Sequence, residues 1–213
     1  MESRMLTETT GRSASDLTAE LENWRGVDWV SVWDGPPQGG SPEFRAWCER
    51  YGWVPETFDR QLNVTTRSGG SWTFFDVLGG QWSPVKSLTH YPWHVKAATA
   101  AENREVLSVA AETWPVYLKA AVAVLGAPTW SGSWDDEDFP EPPVPSYWLS
   151  REFRLKKRRP YEFAYWKPAG DVPGEPYIVL SQSVSFQTWT ADLAGGSAIS
   201  VDVYAPADFL DRR

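Results

Sequence analysis

The stretch from Ala97 to Trp134 contains the longest helix-like pattern in the chain and constrains the fold more than any other. Val106, Val109, Ala110, Thr113, Tyr117, Ala121, Val124 and Leu125 recur every three to four positions, which places them along one face of an α-helix. Arg104, Glu105, Glu112 and Lys119 fall mostly on the other side. The pattern predicts a start near Glu102–Asn103 and a stop at Gly126, with Pro128 preventing continuation. Pro115 removes a hydrogen bond in the middle, so a kink is expected, or two helices with Thr113 capping the second.

A helix with one apolar face needs a partner layer, and the segments around it supply strands and shorter helices. Residues 1–13 are polar and aperiodic and read as a disordered terminus. Ser13 or Ser15 is placed to cap a short helix over Asp16–Trp24, and Ser41-Pro42 starts another that Gly52 ends, with Phe44, Trp47, Cys48 and Tyr51 on its buried stripe. Asp28–Trp33 alternates and reads as a strand. Leu62–Thr66 and Trp72–Leu78 read as a hairpin, followed by a Gly79–Gly80 turn and a third strand within Gln81–Val95. Tyr147–Leu155, Tyr161–Trp166, Tyr177–Trp189 and Ala198–Tyr204 read as a four-stranded meander.

The resulting expectation is one α+β domain over residues 14–213, with antiparallel sheet, a long kinked central helix, and shorter N-terminal helices packed on one face. Its parts are an N-terminal half at 14–96, the helix at 97–126, an acidic loop at 127–146 and the β meander at 147–205.

Charge and composition narrow the function classes. A net charge of −8 argues against general nucleic-acid binding, which needs a basic face. There is no apolar run near the roughly 20 residues that span a bilayer, no signal-type h-region, and a single cysteine, so the expectation is a cytoplasmic protein without a membrane partner. Fourteen tryptophans spread along the chain are expected mainly in the core, with a few available to line a binding face.

The candidates for chemistry are few. His90 and His94 flank Pro92 in a segment that does not read as helix, which disfavours a metal pair. Cys48 lies on an apolar stripe and reads as a packed thiol. No phosphate loop, nucleophile elbow or paired-cysteine motif occurs, so no residue is assigned as catalytic or metal-binding and no cofactor is expected. The candidate site is Trp130, Trp134, Asp135, Asp136, Asp138 and Phe139, where acids cluster between aromatics and prolines in an expected irregular surface loop. Six basic residues within Arg151–Arg159 are the natural internal counterweight to that loop. The alternating hydroxyls and amides of Ser181–Trp189 give one polar sheet face.

The Phe44-x2-Trp47…Tyr51-Gly52-Trp53 helix end, the Val124–Thr129 helix exit and Gly132-Ser133-Trp134-Asp135 ahead of a final β meander resemble uncharacterised α+β proteins of actinobacteria such as streptomycetes. Some of those resemble immunity proteins of polymorphic-toxin loci. That resemblance implies a toxin-neutralising immunity protein; the net charge of −8, the acidic aromatic loop and the missing catalytic motifs lead to the expectation of a non-enzymatic protein-binding module that offers the loop to a basic partner. A Trp-lined carbohydrate-binding or hydrolase domain, which requires a deep pocket with at least two Trp edges and an ionisable group, is the alternative. A structural subunit of a larger assembly is a third.

Overall fold

The computed structural model describes residues 8–57, 61–75, 85–185 and 192–210. Its centre is one antiparallel sheet of nine strands: β1 (Glu8–Gly11), β2 (Val54–Thr57), β3 (Leu62–Thr65), β4 (Ser71–Phe75), β5 (Ser87–Lys96), β6 (Trp130–Ser133), β7 (Glu162–Trp166), β8 (Tyr177–Val184) and β9 (Gly196–Tyr204). Eight run in the order β2-β3-β4-β5-β9-β8-β7-β6. β9 pairs with β5 along its whole length, while β4 and β1 share the other edge of β5, meeting Ser87–Thr89 and Trp93–Lys96 respectively. β1 therefore lies inside the stretch expected to be disordered, because Glu8–Gly11 completes an edge that β4 leaves open.

The helices are α1 (Ala14–Asn23), α2 (Trp29–Trp33), α3 (Pro42–Tyr51), α4 (Asn103–Leu125), α5 (Arg151–Lys157) and α6 (Ala207–Leu210). Ser13 caps α1 in a capping box: its Oγ accepts from Asp16 N (3.2 Å) while Asp16 Oδ2 accepts from Ser13 N (2.8 Å). Ser41 Oγ accepts from Phe44 N at 3.1 Å, and Gly52 ends α3 at φ +68°, as the sequence implies. α4 is one kinked helix that carries Pro115 in its interior. Thr113 does not begin a second helix; its hydroxyl donates to Val109 O at 2.7 Å, inside the same one.

Register divides the sheet into two faces. Leu180, Val201 and Val203 point to the side of α4, where Val106, Ala110, Trp114, Tyr117, Ala121 and Val124 are buried, and Gln182 Nε2 donates to Ala110 O at 2.8 Å. Trp114 sits in this interface although the stripe read from the sequence omits it. Phe163 and Val179 point the opposite way and pack with Phe139, Tyr147 and Trp148 in a second, smaller aromatic cluster. Segment 139–160 thus covers part of the other face.

Two expected strands are helices. Asp28–Trp33 forms α2, capped by Asp28, whose Oδ1 accepts from Ser31 N at 3.3 Å. Four-residue spacing lets Trp29 stack on Trp33 at 5.2 Å, so aromatic burial overrides the alternating pattern. In place of a Tyr147–Leu155 strand, Tyr147 and Trp148 are buried in the aromatic cluster and α5 follows Ser150. The fourth strand of the meander is β6, which pairs with β7 from Trp130↔Tyr165 to Ser133↔Glu162. The β3–β4 hairpin forms as expected. The Asp76–Leu78 end of the expected Trp72–Leu78 strand, the Gly79–Gly80 turn, the beginning of the Gln81–Val95 run and the Phe186–Trp189 end lie outside the described residues.

Candidate functional site

The acidic segment begins as an edge strand and ends as a cross-braced turn. Gly126, at φ +80°, ends α4, and its carbonyl accepts from Trp166 Nε1 at 2.9 Å, which aims the chain along β7. β6 then pairs with β7 and stands last in the sheet order. Beyond it, Asp136 closes the strand: its Oδ2 accepts from Ser133 N at 2.6 Å and its own N donates to Ser133 O at 3.2 Å. Asp135 Oδ1 accepts from Ser133 Oγ at 2.5 Å, and Asp138 Oδ2 from Trp130 Nε1 at 3.2 Å. Gly132 is fixed by this packing, since a Cβ there would stand 2.2 Å from Asp136 Oδ2 and 2.7 Å from the Trp130 ring.

All six candidate residues are in this one feature, in unequal roles. Phe139 is buried in the smaller aromatic cluster, with Trp130 packed against its ring at 4.9 Å. Asp136 is half-buried and ties the turn together. Asp135 and Asp138 are exposed, Trp134 is half-exposed, and Glu137 joins them as an exposed carboxylate outside the original six.

The basic run meets the acidic segment at its aromatic rings. The Arg158 guanidinium stands 6.0 Å over the Trp134 ring, and that of Arg154 stands 4.2 Å over Phe139. Arg154 is buried, and its Nε and Nη1 have no hydrogen-bond partner among the described residues. Burial and Arg151 pull the Arg154 pKa down, while Glu141, Asp136 and Asp135 hold it up. The Glu162 carboxyl titrates above the usual range, first from burial and then from Asp136 and Asp135.

The other polar candidates lie elsewhere. His90 is buried in β5, its Nδ1 2.7 Å from Ser71 O and its ring 4.9 Å from Trp72. His94 is farther along the same strand, beyond a register shift between His90 and Trp93. Burial pushes the Cys48 thiol up to about 12, which leaves it un-ionised at neutral pH. Among the described residues no three His, Cys, Asp or Glu side chains gather as metal ligands. Ten of the tryptophans are buried, Trp130 and Trp134 are half-buried, and Trp82 and Trp189 are outside the described residues.

A separate concavity has the Trp edges and ionisable groups that the carbohydrate-binding or hydrolase alternative requires, at a place the sequence does not reveal. Between α1, the exit of α4 and the start of β8 lies a cleft of about 420 Å³ with Trp24, Trp29, Trp166, Leu125 and Ile178 in its wall. Arg25, Lys167 and Glu175 also line it. Its parts come from three distant stretches of chain, and only the even spread of tryptophans hinted at them. No helix among the described residues is long and apolar enough to cross a membrane. No protein-family model, no curated protein and no solved structure matches the chain.

Proposed function

We propose that this chain is a non-enzymatic protein-binding module whose contact surface is the β6 edge and the turn Trp134–Asp138, and that its partner is a basic protein. The observation that carries this reading is the placement of three exposed carboxylates, Asp135, Glu137 and Asp138, around half-exposed Trp134 at the open end of the sheet. Arg158 stands beside the Trp134 ring and offsets part of this charge, so the surface left to a partner is that of the three carboxylates. The net charge of −8 adds long-range attraction for a basic protein. In its specific form the proposal is a cytoplasmic immunity protein that neutralises a basic toxin, consistent with the resemblance noted in the sequence.

The test is co-purification from cells that carry the gene, using the native chain and an Asp135→Asn, Glu137→Gln, Asp138→Asn variant. Asp136 is left intact because it holds the turn. A basic protein recovered with the native chain and lost with the variant supports the reading. Equal recovery by both removes the acidic turn from the interface.

A further inference from the structure

The Trp-lined cleft combines an apolar wall with two cations in a protein that is acidic as a whole. Trp24, Trp29 and Trp166 are each 7% exposed. Their rings are largely engaged with one another and with the core: Trp29 stacks on Trp33, and Trp24 meets Trp29 and Trp72 at 5.9 and 4.3 Å. They therefore offer edges to an apolar body and no broad open face on which a sugar ring could stack. The charged lining is also uneven. Glu175 Oε2 accepts from Gly170 N at 3.1 Å and braces its own loop. Arg25 Nη2 donates to Val124 O at 2.8 Å, which uses one of a guanidinium's several donors and fixes the group at the cleft. Lys167 is exposed at the rim, where its backbone N–H donates to Thr129 Oγ1 at 3.0 Å. Val172, 56% exposed, extends the apolar wall outward.

We infer that this cleft binds a small amphiphilic carboxylate, with the hydrocarbon body against Trp24, Trp29, Trp166 and Ile178 and the carboxylate at Arg25 and Lys167. About 420 Å³ is within the ordinary range for a small-molecule site. A carboxylate matches the two cations, since Glu175, the acid in the same lining, is turned to Gly170 N, and the hydrocarbon chain behind it removes apolar area from water. The lining shares no residue with the acidic turn, so this site stands or falls separately from the protein-binding proposal.

The experiment is calorimetric titration of the whole chain with octanoate, octan-1-ol and maltotriose. Octanoate is expected to bind with a Kd of about 0.1 mM, and the uncharged alcohol about tenfold more weakly. Two variants locate the site. Ala127→Trp fills the cleft and is expected to abolish octanoate binding, and Lys167→Glu, a surface change that leaves the core intact, to weaken it about tenfold. Octanol binding as tightly as octanoate, maltotriose binding in place of octanoate, no octanoate binding at millimolar concentration, or octanoate binding unchanged by Lys167→Glu would each overturn the inference.

Discussion

Arg154 holds its guanidinium 4.2 Å above the ring of Phe139, with 1% of the residue exposed, and so carries the basic run of the chain beneath the acidic one. Phe139 in turn packs on Phe163 of β7 at 5.0 Å. The acidic turn is thereby fixed to the sheet from below, and its outward carboxylates sit on a rigid support. Rigid placement of exposed groups lowers the ordering cost of binding.

A buried cation with two unpartnered nitrogens costs stability that its aromatic contact and the nearby carboxylates only partly offset. Arg154→Met keeps the volume and removes the charge, and is expected to raise unfolding stability in urea by about 1 kcal/mol. Arg154→Ala leaves a cavity against Phe139 and is expected to lower it by about 2 kcal/mol. A clear loss in Arg154→Met would mean that Asp135, Asp136 and Glu141 hold the charge in place more strongly than burial opposes it.

Glu20 organises the opposite end of the molecule. It is fully buried; Oε1 accepts from Gly70 N at 2.9 Å and from Thr66 and Ser68 hydroxyls at 2.5 Å, Oε2 from Trp72 Nε1 at 3.1 Å, and Arg12 Nη1 is 3.6 Å away. Glu20→Gln places an amide donor among donors and should cost about 3 kcal/mol in chemical unfolding. Gly70→Ala, whose Cβ would stand 2.4 Å from Oε1, should destabilise by a similar amount, and the two together by less than their sum.

Asp202 gives a pH signature. Its carboxyl titrates above the ordinary 3.8 because burial outweighs the hydrogen bonds from Thr89 (2.5 Å) and Ser200 (3.0 Å). The folded state therefore keeps this proton at pH values where the unfolded chain has lost it, and stability falls as pH rises from 3.8 through the folded pKa. Asp202→Asn is expected to be more stable than the native chain at pH 7, with the difference vanishing below about pH 4. Thermal unfolding of both across that range checks it; a difference that grows toward acid would contradict the assignment.

Local signals in the sequence were legible where they were chemically unambiguous. Ser13 and Ser41 cap the helices they precede, Gly52 and Gly126 end theirs, and the face of α4 is the one its spacing implies. Failures came where tertiary packing chose between equal patterns. Trp29 and Trp33 suit either a strand face or one turn of helix, and stacking settled it. Trp130–Ser133 carries little strand propensity, yet β7 offered a free edge and Trp166 fixed the approach through Gly126. The candidate site was found as a cluster because acids and aromatics are consecutive there. Its division into half-buried Asp136 and exposed Asp135 and Asp138 depends on which donors of Ser133 and Trp130 each carboxylate accepts from, which spacing cannot reveal. The Trp-lined cleft was invisible because its wall joins residues near 24, 125 and 166.

The most direct measurement of the central proposal is the association rate of the recovered basic partner, followed from about 20 mM to about 500 mM salt for the native chain and the Asp135→Asn, Glu137→Gln, Asp138→Asn variant. Electrostatic steering by the turn predicts that the native rate falls at least about tenfold over that range while the variant associates slowly and with a much shallower salt dependence. Equal rates and equal salt slopes for the two proteins would contradict the placement of the interface at the acidic turn.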